Sequence, residues 1–418
     1  MEHGLDTQVI TVITAAVILW SLIAARLERL SITPALTFVV VGFVVANPPL
    51  SLVEIEVGGE AVRSLAEIAL VLVLFSDASD VDLHRLRADA AVPARLLLIA
   101  LPLGIAVGLG LALALFGDLD LWICAVIAAA VAPTDAALGA PLMTDHRIPA
   151  RVRRELNVES GLNDGLVTPV VTFCIAGAAA EIGRRPELSP GDAVVDLVVG
   201  VLVGVGIALV AGAAMRRRGL TAHTEGIAAV ALALLTYAAA LELGGNGFVA
   251  AFAGGLAFGA TRRSAAPTGA PALVADLGEL LTIVVWFAFG ALAVPVLDGR
   301  SWATAAFAAL ALTAGRMVPV ALALVGTGTD RSTVAFIGWF GPRGLASIVF
   351  ALVAFDTLPP DEARSTMLAG IFATVLLSVV SHGLTARPLA GRYAAVISRR
   401  AGGHPPWGGD TTPSEHRS

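Results

Sequence analysis

The chain has 418 residues, of which 57% are hydrophobic and only 14% are charged. Soluble domains carry roughly a quarter charged residues, so this composition excludes an ordinary water-soluble protein and predicts a membrane protein. The formal net charge of -6 is spread along the chain, which favours neither a nucleic-acid surface nor an acidic tail. The 43 glycines suit helices that pack backbone to backbone, so we expect an all-α polytopic bundle and not a barrel of alternating strands.

Apolar segments recur along the chain at about the 20 residues that one helical membrane span needs. They cover residues 8–25, 32–47, 62–77, 91–116, 121–140, 153–180, 192–214, 225–243, 247–260, 273–297, 301–325, 333–353 and 363–386. Arginines follow the first segment instead of preceding it, so we interpret it as a membrane span and not as a signal peptide. Only residues 244–247 separate the eighth segment from the ninth. The pattern predicts about thirteen transmembrane helices.

The positively charged residues predict the orientation, because the loops on the cytoplasmic side of a membrane are enriched in them. All 27 are arginines, and 20 of them fall in alternate loops on one side. We therefore expect a multi-pass protein of the cell membrane, with its N-terminus outside and its C-terminus in the cytoplasm. Residues 1–390 form the predicted transmembrane domain, and residues 391–418 form a short cytoplasmic tail whose Gly, Pro and polar composition predicts disorder.

Ionisable residues inside membrane spans are costly, so each is a candidate for function. The first cluster is Ala132-Pro133-Thr134-Asp135 in the fifth segment. Pro133 donates no backbone hydrogen bond and disfavours helical geometry in the residue before it, which predicts a broken helix beside a carboxylate. Broken helices of this kind form ion sites in secondary transporters. The alternative is that Asp135 caps the second half-helix.

The second cluster is Glu159-Ser160-Gly161-Leu162-Asn163-Asp164 in the sixth segment. Residues four apart share one helix face, so Ser160 lies over Asp164, while Glu159 lies over Asn163. Asp164 offers hard oxygen ligands to a small cation, and the Ser160 hydroxyl could add another. The alternative is a structural polar network between helices.

The third cluster surrounds Pro342 and Arg343 in the twelfth segment, where Pro342 again predicts a broken helix. Arg343 stays charged and needs an anionic partner, for which Glu159 is the candidate. The alternative is that Arg343 extends to the membrane surface. Arg316 has no obvious partner in the sequence, and Asp77, at the end of the third segment, either contributes to the site or is solvated.

The fifth and twelfth segments are seven apart, and an odd offset gives them opposite orientations in the membrane. We therefore predict inverted repeats with two Pro-broken helices that cross at the site.

Three motifs carry a family resemblance. They are APTDAA at residues 132–137, ESGLNDG at residues 159–165 and WFGPRGLAS at residues 339–347, and YAAALELGGNGF at residues 237–248 adds to them. In this order they resemble the sodium/proton exchanger family of monovalent cation:proton antiporters, in its NhaP-like and NHE-like branch.

The resemblance implies a transporter and not an enzyme, without a cofactor, that exchanges Na⁺, or else K⁺ or Li⁺, for H⁺ and serves pH homeostasis. It implies that Asp164 is the proton-carrying and cation-binding carboxylate, and that Thr134, Asp135 and Ser160 complete the cation site. Asn163 stands where the electrogenic branch has an Asp, which implies electroneutral exchange. Glu159 and Arg343 would form a buried pair.

The family also implies a homodimer, in which a six-helix core domain moves against a dimerisation domain. Many relatives carry a Glu near the end of the third segment, where this chain has Phe75-Ser76-Asp77. A role for Asp77 in cation binding therefore does not follow from the resemblance.

The exchange mechanism can also be argued from the residues. Two carboxylates in one low-dielectric cavity are hard to ionise together, so protons and cations compete for the site. Three other functions would use the same residues: a cation channel, a sodium-coupled solute symporter, and a membrane sensor without transport.

Overall fold

The computed structural model describes residues 7–29, 32–56, 58–81, 91–181, 190–219, 221–263 and 272–400. The helices before residue 182 are α1 (Thr7–Arg29), α2 (Pro34–Ala46), α3 (Glu60–Asp80), α4 (Ala91–Arg95), α5 (Leu101–Leu115), α6 (Leu121–Ala130), α7 (Ala140–Met143) and α8 (Ala150–Glu181). Those after it are α9 (Pro190–Arg218), α10 (Ala222–Glu242), α11 (Gly247–Arg263), α12 (Ala272–Leu297), α13 (Trp302–Leu312), α14 (Ala314–Ala323), α15 (Arg331–Trp339), α16 (Leu345–Thr357) and α17 (Glu362–Arg400).

The all-α class is confirmed, because all regular structure in these ranges is helical. Eight helical stretches of the described residues are long and apolar enough to cross a membrane, two of them formed by α4 with α5 and by α13 with α14, and three shorter helices are apolar. The protein is therefore a multi-pass membrane protein. Every apolar segment predicted from the sequence contains a helix, while the exact number of membrane spans stays a prediction.

The weakest predicted boundary is present in the structure. Helix α10 ends at Glu242, and Gly244 follows with a φ of 71°, in the left-handed region that favours glycine. The Asn246 side chain then accepts a hydrogen bond from Val249 N at 3.0 Å, which caps the start of α11. The eighth and ninth apolar segments are therefore two separate helices, although only residues 244–247 separate them in the sequence.

Four of the apolar segments contain an interruption. The two predicted from proline are present: residues 131–139 follow α6, and residues 340–344 separate α15 from α16. The sequence analysis missed the other two. A π-helical turn, Leu96–Ala100, joins α4 to α5, and Thr313 separates α13 from α14. These two lie in the fourth and eleventh segments, which are again seven apart.

Two groups of helices pack mainly among themselves. In one group, α12 packs on α2 and α3, and α11 packs on α3 and α9. In the other, α5 and α8 pack on α6, and α13 and α16 pack on α17. The four interruptions all lie in the second group, so the irregular backbone is concentrated on one side of the bundle.

The last helix continues past residue 390 into the predicted tail. Helix α17 runs to Arg400, so residues 391–400 are helical and continue the final apolar segment. Tyr393 is buried and stacks on Phe336 of α15, with ring centroids 4.3 Å apart. Residues 401–418, the remainder of the predicted tail, lie outside the described residues, as do Arg85, Arg87, Arg184 and Arg185 of the orientation count.

Candidate functional site

The two proline interruptions meet in space, at what we call the crossing point, formed by residues 131–139 and 340–344. The Asp135 backbone N–H donates to the Pro342 carbonyl at 2.7 Å, and the Leu345 N–H donates to Asp135 Oδ2 at 3.0 Å. Because neither interruption can complete its own helical hydrogen bonds, each supplies the partners that the other lacks. The crossing of two Pro-broken helices is therefore confirmed.

Asp135 lies at the centre of this exchange. Its Oδ1 accepts hydrogen bonds from Ala137 N at 2.8 Å and Leu138 N at 3.4 Å, and its Oδ2 accepts the bond from Leu345, the first residue of α16. The carboxylate therefore caps α16, the helix that follows the second interruption. It also accepts hydrogen bonds from the residues that follow it in its own interruption. Asp135 is thus a capping residue for α16 and not for α7, the helix that follows it in its own segment, whose N-cap is Gly139.

Gly344 makes room for this carboxylate. A methyl group built at Gly344 would overlap the Asp135 side chain, because the two backbones approach closely at this position. A glycine is needed here for space, because any side chain at this position would overlap the Asp135 carboxylate.

Arg343 does not pair with Glu159, which corrects the predicted salt bridge. Its guanidinium donates from Nη1 to the carbonyl oxygens of Ala132 at 2.5 Å and Pro133 at 3.2 Å. These oxygens follow the C-terminal end of α6, where the helix dipole favours a positive charge. Arg343 is only 4% exposed, so it does not extend to the membrane surface either.

Glu159 pairs instead with Arg316, which has no evident partner in the sequence. Arg316 Nη1 lies 2.5 Å from Oε1 of Glu159, and Nη2 lies 2.8 Å from Oε2. This two-pronged geometry matches a planar guanidinium to a planar carboxylate. Thr313, with a non-helical ψ of -85°, interrupts the helix just before Arg316, and nothing in the residue spacing indicates this interruption.

The polar face of α8 meets the first interruption. Asn163 donates from Nδ2 to Thr134 Oγ1 at 2.5 Å, and the Ser160 hydroxyl lies 3.1 Å from the same oxygen. All three side chains are buried. The predicted site residues Thr134, Ser160 and Asn163 are thus brought together, and they form a polar network between helices as well as a set of oxygen ligands.

Asp164 and its neighbour Asn163 each have a buried side-chain oxygen without a hydrogen-bond partner. In both residues this oxygen is Oδ1, and Asp164 is 9% exposed. Thr168 donates to the backbone carbonyl of Asp164 at 2.8 Å and not to its carboxylate. Buried polar atoms are normally paired, so these two oxygens are candidates to hold a transported ion or proton.

Two further carboxylates lie near Asp164. The charges of Asp135 and Asp77 both act on it electrostatically. Asp77 also faces α8, because a Cβ atom placed on Gly161 would lie 3.8 Å from its Cβ. The structure thus places Asp77 beside the site. Within the described ranges, no three carboxyl, imidazole or thiol groups converge as they would at a metal centre.

The sequence analysis missed two polar residues of α17. Ser378 Oγ accepts a hydrogen bond from the Arg343 backbone N–H at 2.7 Å. The His382 ring places Nε2 2.8 Å from the Trp339 carbonyl at the end of α15. Both residues are buried, and through these contacts α17 stabilises the second interruption. Their signal was present, since Ser378, Ser381 and His382 interrupt an apolar run.

Helix α15 is anchored at its other end, outside the membrane spans, by Asp330. The Asp330 carboxylate caps α15 through Ser332 N at 3.0 Å and Thr333 N at 3.3 Å, and it accepts a hydrogen bond from Arg400 Nη1 at 2.6 Å. Partial burial favours the neutral acid, but hydrogen bonds from Ser332, Thr333 and Arg400 outweigh it and hold the pKa of Asp330 well below its usual range. The end of α17 is thus tied to the start of a crossing helix.

A multi-pass bundle with polar side chains gathered where two interrupted helices cross is the arrangement by which secondary transporters build ion sites. A family model described as the transmembrane sodium/hydrogen exchanger matches residues 12–392. The chain therefore belongs to the sodium/hydrogen exchanger family, as its three motifs predicted.

Named relatives and a solved structure agree with this assignment. The chain is 27% identical over 345 residues to the K(+)/H(+) antiporter NhaP of Alkalimonas amylolytica, covering 81% of this chain and 58% of the relative. It is 25% identical over 313 residues to the Na(+)/H(+) antiporter of Schizosaccharomyces pombe, covering 65% of each. The matched region thus spans about three-fifths of the length of these relatives.

The sodium proton antiporter MjNhaP1 from Methanocaldococcus jannaschii, solved at pH 8, has the same fold. It superposes with a TM-score of 0.76 at 19% identity, and the match covers 92% of this chain and 98% of that one.

Proposed function

We propose that the protein is a secondary transporter that exchanges a monovalent cation for a proton by alternating access. The observation that carries the proposal is the Asp164 carboxylate, buried beside the crossing point with Oδ1 unpaired. The family membership supports it, as do the relatives named as Na(+)/H(+) and K(+)/H(+) antiporters.

Asp164 is the proposed exchange carboxylate, which binds either the proton or the cation. The Asn163 Oδ1, the Thr134 and Ser160 hydroxyls and the second carboxylate, Asp135, supply hard oxygens around it, which suits Na⁺ first, or K⁺ or Li⁺. Asp135 also fixes the crossing point.

Coupling follows from charge. An ionised carboxylate in a low-dielectric cavity is costly, and either a proton or a cation removes that cost. The loaded states then change conformation readily, while the empty charged state does not, because a conformational shift needs differential stabilisation of its states. Like charges on Asp77 and Asp135 strengthen the need to neutralise Asp164.

The remaining parts of the proposal concern the whole molecule. Asn163 is a neutral amide where the electrogenic branch has an ionisable Asp. One cation therefore exchanges for one proton, and transport is electroneutral. The chain acts as a homodimer in the cell membrane, with its N-terminus outside and its C-terminus in the cytoplasm. Residues 1–390 form the antiporter domain, within which the group containing α6, α8 and α16 moves against the group containing α3, α11 and α12. Exchange itself needs no cofactor.

The test uses purified protein in liposomes with an imposed pH gradient and an internal pH dye. Addition of Na⁺, K⁺ or Li⁺ should collapse the gradient with the wild type and with Asp118→Asn, a control in an exposed loop carboxylate, but not with Asp164→Asn. Cation-driven flux in Asp164→Asn at the wild-type rate would overturn the assignment. Valinomycin with K⁺ gradients, used to clamp the voltage during Na⁺ or Li⁺ exchange, should leave the rate unchanged if exchange is electroneutral.

The rival functions give different results in the same assay. A solute requirement for cation-coupled flux would identify a symporter. Cation current without coupled proton movement would identify a channel. No flux with any cation would favour a membrane sensor without transport.

A further inference from the structure

A small cavity lies beside the crossing point, between α5, α6, α13 and α14. Its volume is about 20 Å³, enough for one water-sized particle. Most of its wall consists of glycine and alanine, and among the described residues the charged ones that line it are Arg316 and Arg343. We call it the arginine cavity. Two arginines lining one small cavity are an unusual use of charge inside a membrane protein.

Both arginines have a hydrogen-bond donor left over. Arg316 is 5% exposed and Arg343 is 4% exposed, and the Nε atom of each is buried without a partner. The Nη atoms are used elsewhere, by Glu159 for Arg316 and by the Ala132 and Pro133 carbonyls for Arg343. A buried donor without an acceptor is unfavourable, so the two Nε–H groups are available to a ligand that accepts hydrogen bonds.

The charges around the cavity do not balance. Glu159 compensates Arg316 directly, but the acceptors of Arg343 are neutral carbonyl oxygens. Among the residues that the structure describes, no ion pair joins Arg343 to a carboxylate. The two guanidinium groups repel each other, and Glu159 attracts both of them, so one carboxylate serves two buried arginines. An uncompensated buried charge is unfavourable, and a negative ion next to both arginines would remove the imbalance.

We propose that the arginine cavity binds a small monovalent inorganic anion of the size of chloride or bromide. The ion accepts the Nε–H groups of Arg316 and Arg343 and neutralises the surplus positive charge. A cavity of this size suits a single-atom ion better than phosphate or sulfate. The two arginines would repel a cation. A water molecule would accept the hydrogen bonds of the Nε–H groups but would leave the positive charge of the arginines uncompensated. This anion is separate from the transported cation. The proposal of an anion site does not depend on cation:proton exchange being the function.

The first test is thermal unfolding of the purified protein in detergent. Sodium chloride replaces sodium gluconate stepwise at constant sodium concentration and ionic strength. Binding to the folded state alone raises the unfolding temperature with a saturating dependence on chloride. We expect this saturating rise in the wild type. A rise that never saturates, or no rise at all, would overturn the proposal.

A cavity-filling variant locates the effect. Ala311 lines the cavity, so Ala311→Val should abolish the chloride-dependent rise. Ala308 is buried in the same helix, α13, but does not line the cavity, so Ala308→Val serves as the control for overpacking and should keep the rise. Equal chloride dependence in both variants would contradict the site.

The second test needs no variant. Crystals of the wild-type protein grown in sodium bromide should show an anomalous scattering peak in the arginine cavity, within hydrogen-bond reach of both Nε atoms. Absence of the peak at saturating bromide would mean that the cavity holds water only and would overturn the proposal. Neither test measures transport, so failure of the proposed exchange would leave both results interpretable.

Discussion

Glu159 on α8 accepts hydrogen bonds from both terminal nitrogens of Arg316 on α14, at 2.5 and 2.8 Å. The two residues are 157 positions apart in the chain. Both side chains are almost fully buried, at 2% and 6% exposure. The pair fixes α14 to α8, the helix that carries Asp164. Its contribution can be measured by breaking it from one side.

Glu159→Gln should destabilise the protein by about 3 to 5 kcal/mol, because it leaves the Arg316 charge buried without its counter-ion. The measurement is denaturant unfolding in detergent. Arg147→Gln is the control, because Arg147 forms an exposed pair with Asp145 and such pairs contribute about 0 to 1 kcal/mol.

A double-mutant cycle separates the observed pair from the one predicted from the sequence. Coupling of Glu159 to Arg316 should exceed its coupling to Arg343. The reverse order would contradict the pairing in the structure.

Gly344→Ala should abolish transport and weaken the fold, because the added methyl overlaps the Asp135 carboxylate at the crossing point. The liposome assay and the unfolding temperature measure the two effects. Gly206→Ala adds the same methyl where no atom lies within 4 Å, so it should behave as the wild type. Wild-type exchange by Gly344→Ala would show that the close contact is not required.

Ser378→Ala should cost about 1 to 3 kcal/mol, because the Arg343 backbone N–H loses the hydroxyl that accepts its hydrogen bond at 2.7 Å. Ser21→Ala removes a hydroxyl from an exposed position of α1, so its effect should be small. The comparison uses unfolding of both variants in the same detergent. Equal effects would mean that Ser378 does not hold the second interruption.

Asp330→Asn should reduce stability near pH 7 and lose its effect in acid. Hydrogen bonds hold the folded pKa of Asp330 below its unfolded value of about 3.9, so the ionised group stabilises the fold above that pH. This contribution declines as the pH falls below about 4 towards the folded pKa. The unfolding temperatures of wild type and variant should therefore converge in acid, whereas a constant difference from pH 7 to pH 3 would exclude the charge as its cause.

Much of the fold could be predicted from the sequence, because apolar runs of membrane length and prolines within them act locally. Pro133 and Pro342 marked the interruptions at the crossing point, and the polar residues of α8 marked its site face. The Thr313 interruption has no such marker. The partner of Glu159 could not be chosen, since Arg316 and Arg343 are both arginines in apolar runs and the residue spacing does not distinguish them.

The crossing point also constrains how the protein is made. Asp135 and Leu345, which meet there, are 210 residues apart in the chain. As the chain is synthesised, the polar backbone after α6 enters the membrane long before its partners from residues 340–344 exist. Unpaired peptide groups are costly in lipid, so the first interruption must wait in water, beside other helices or with an assembly factor. The later half of the chain completes the earlier half.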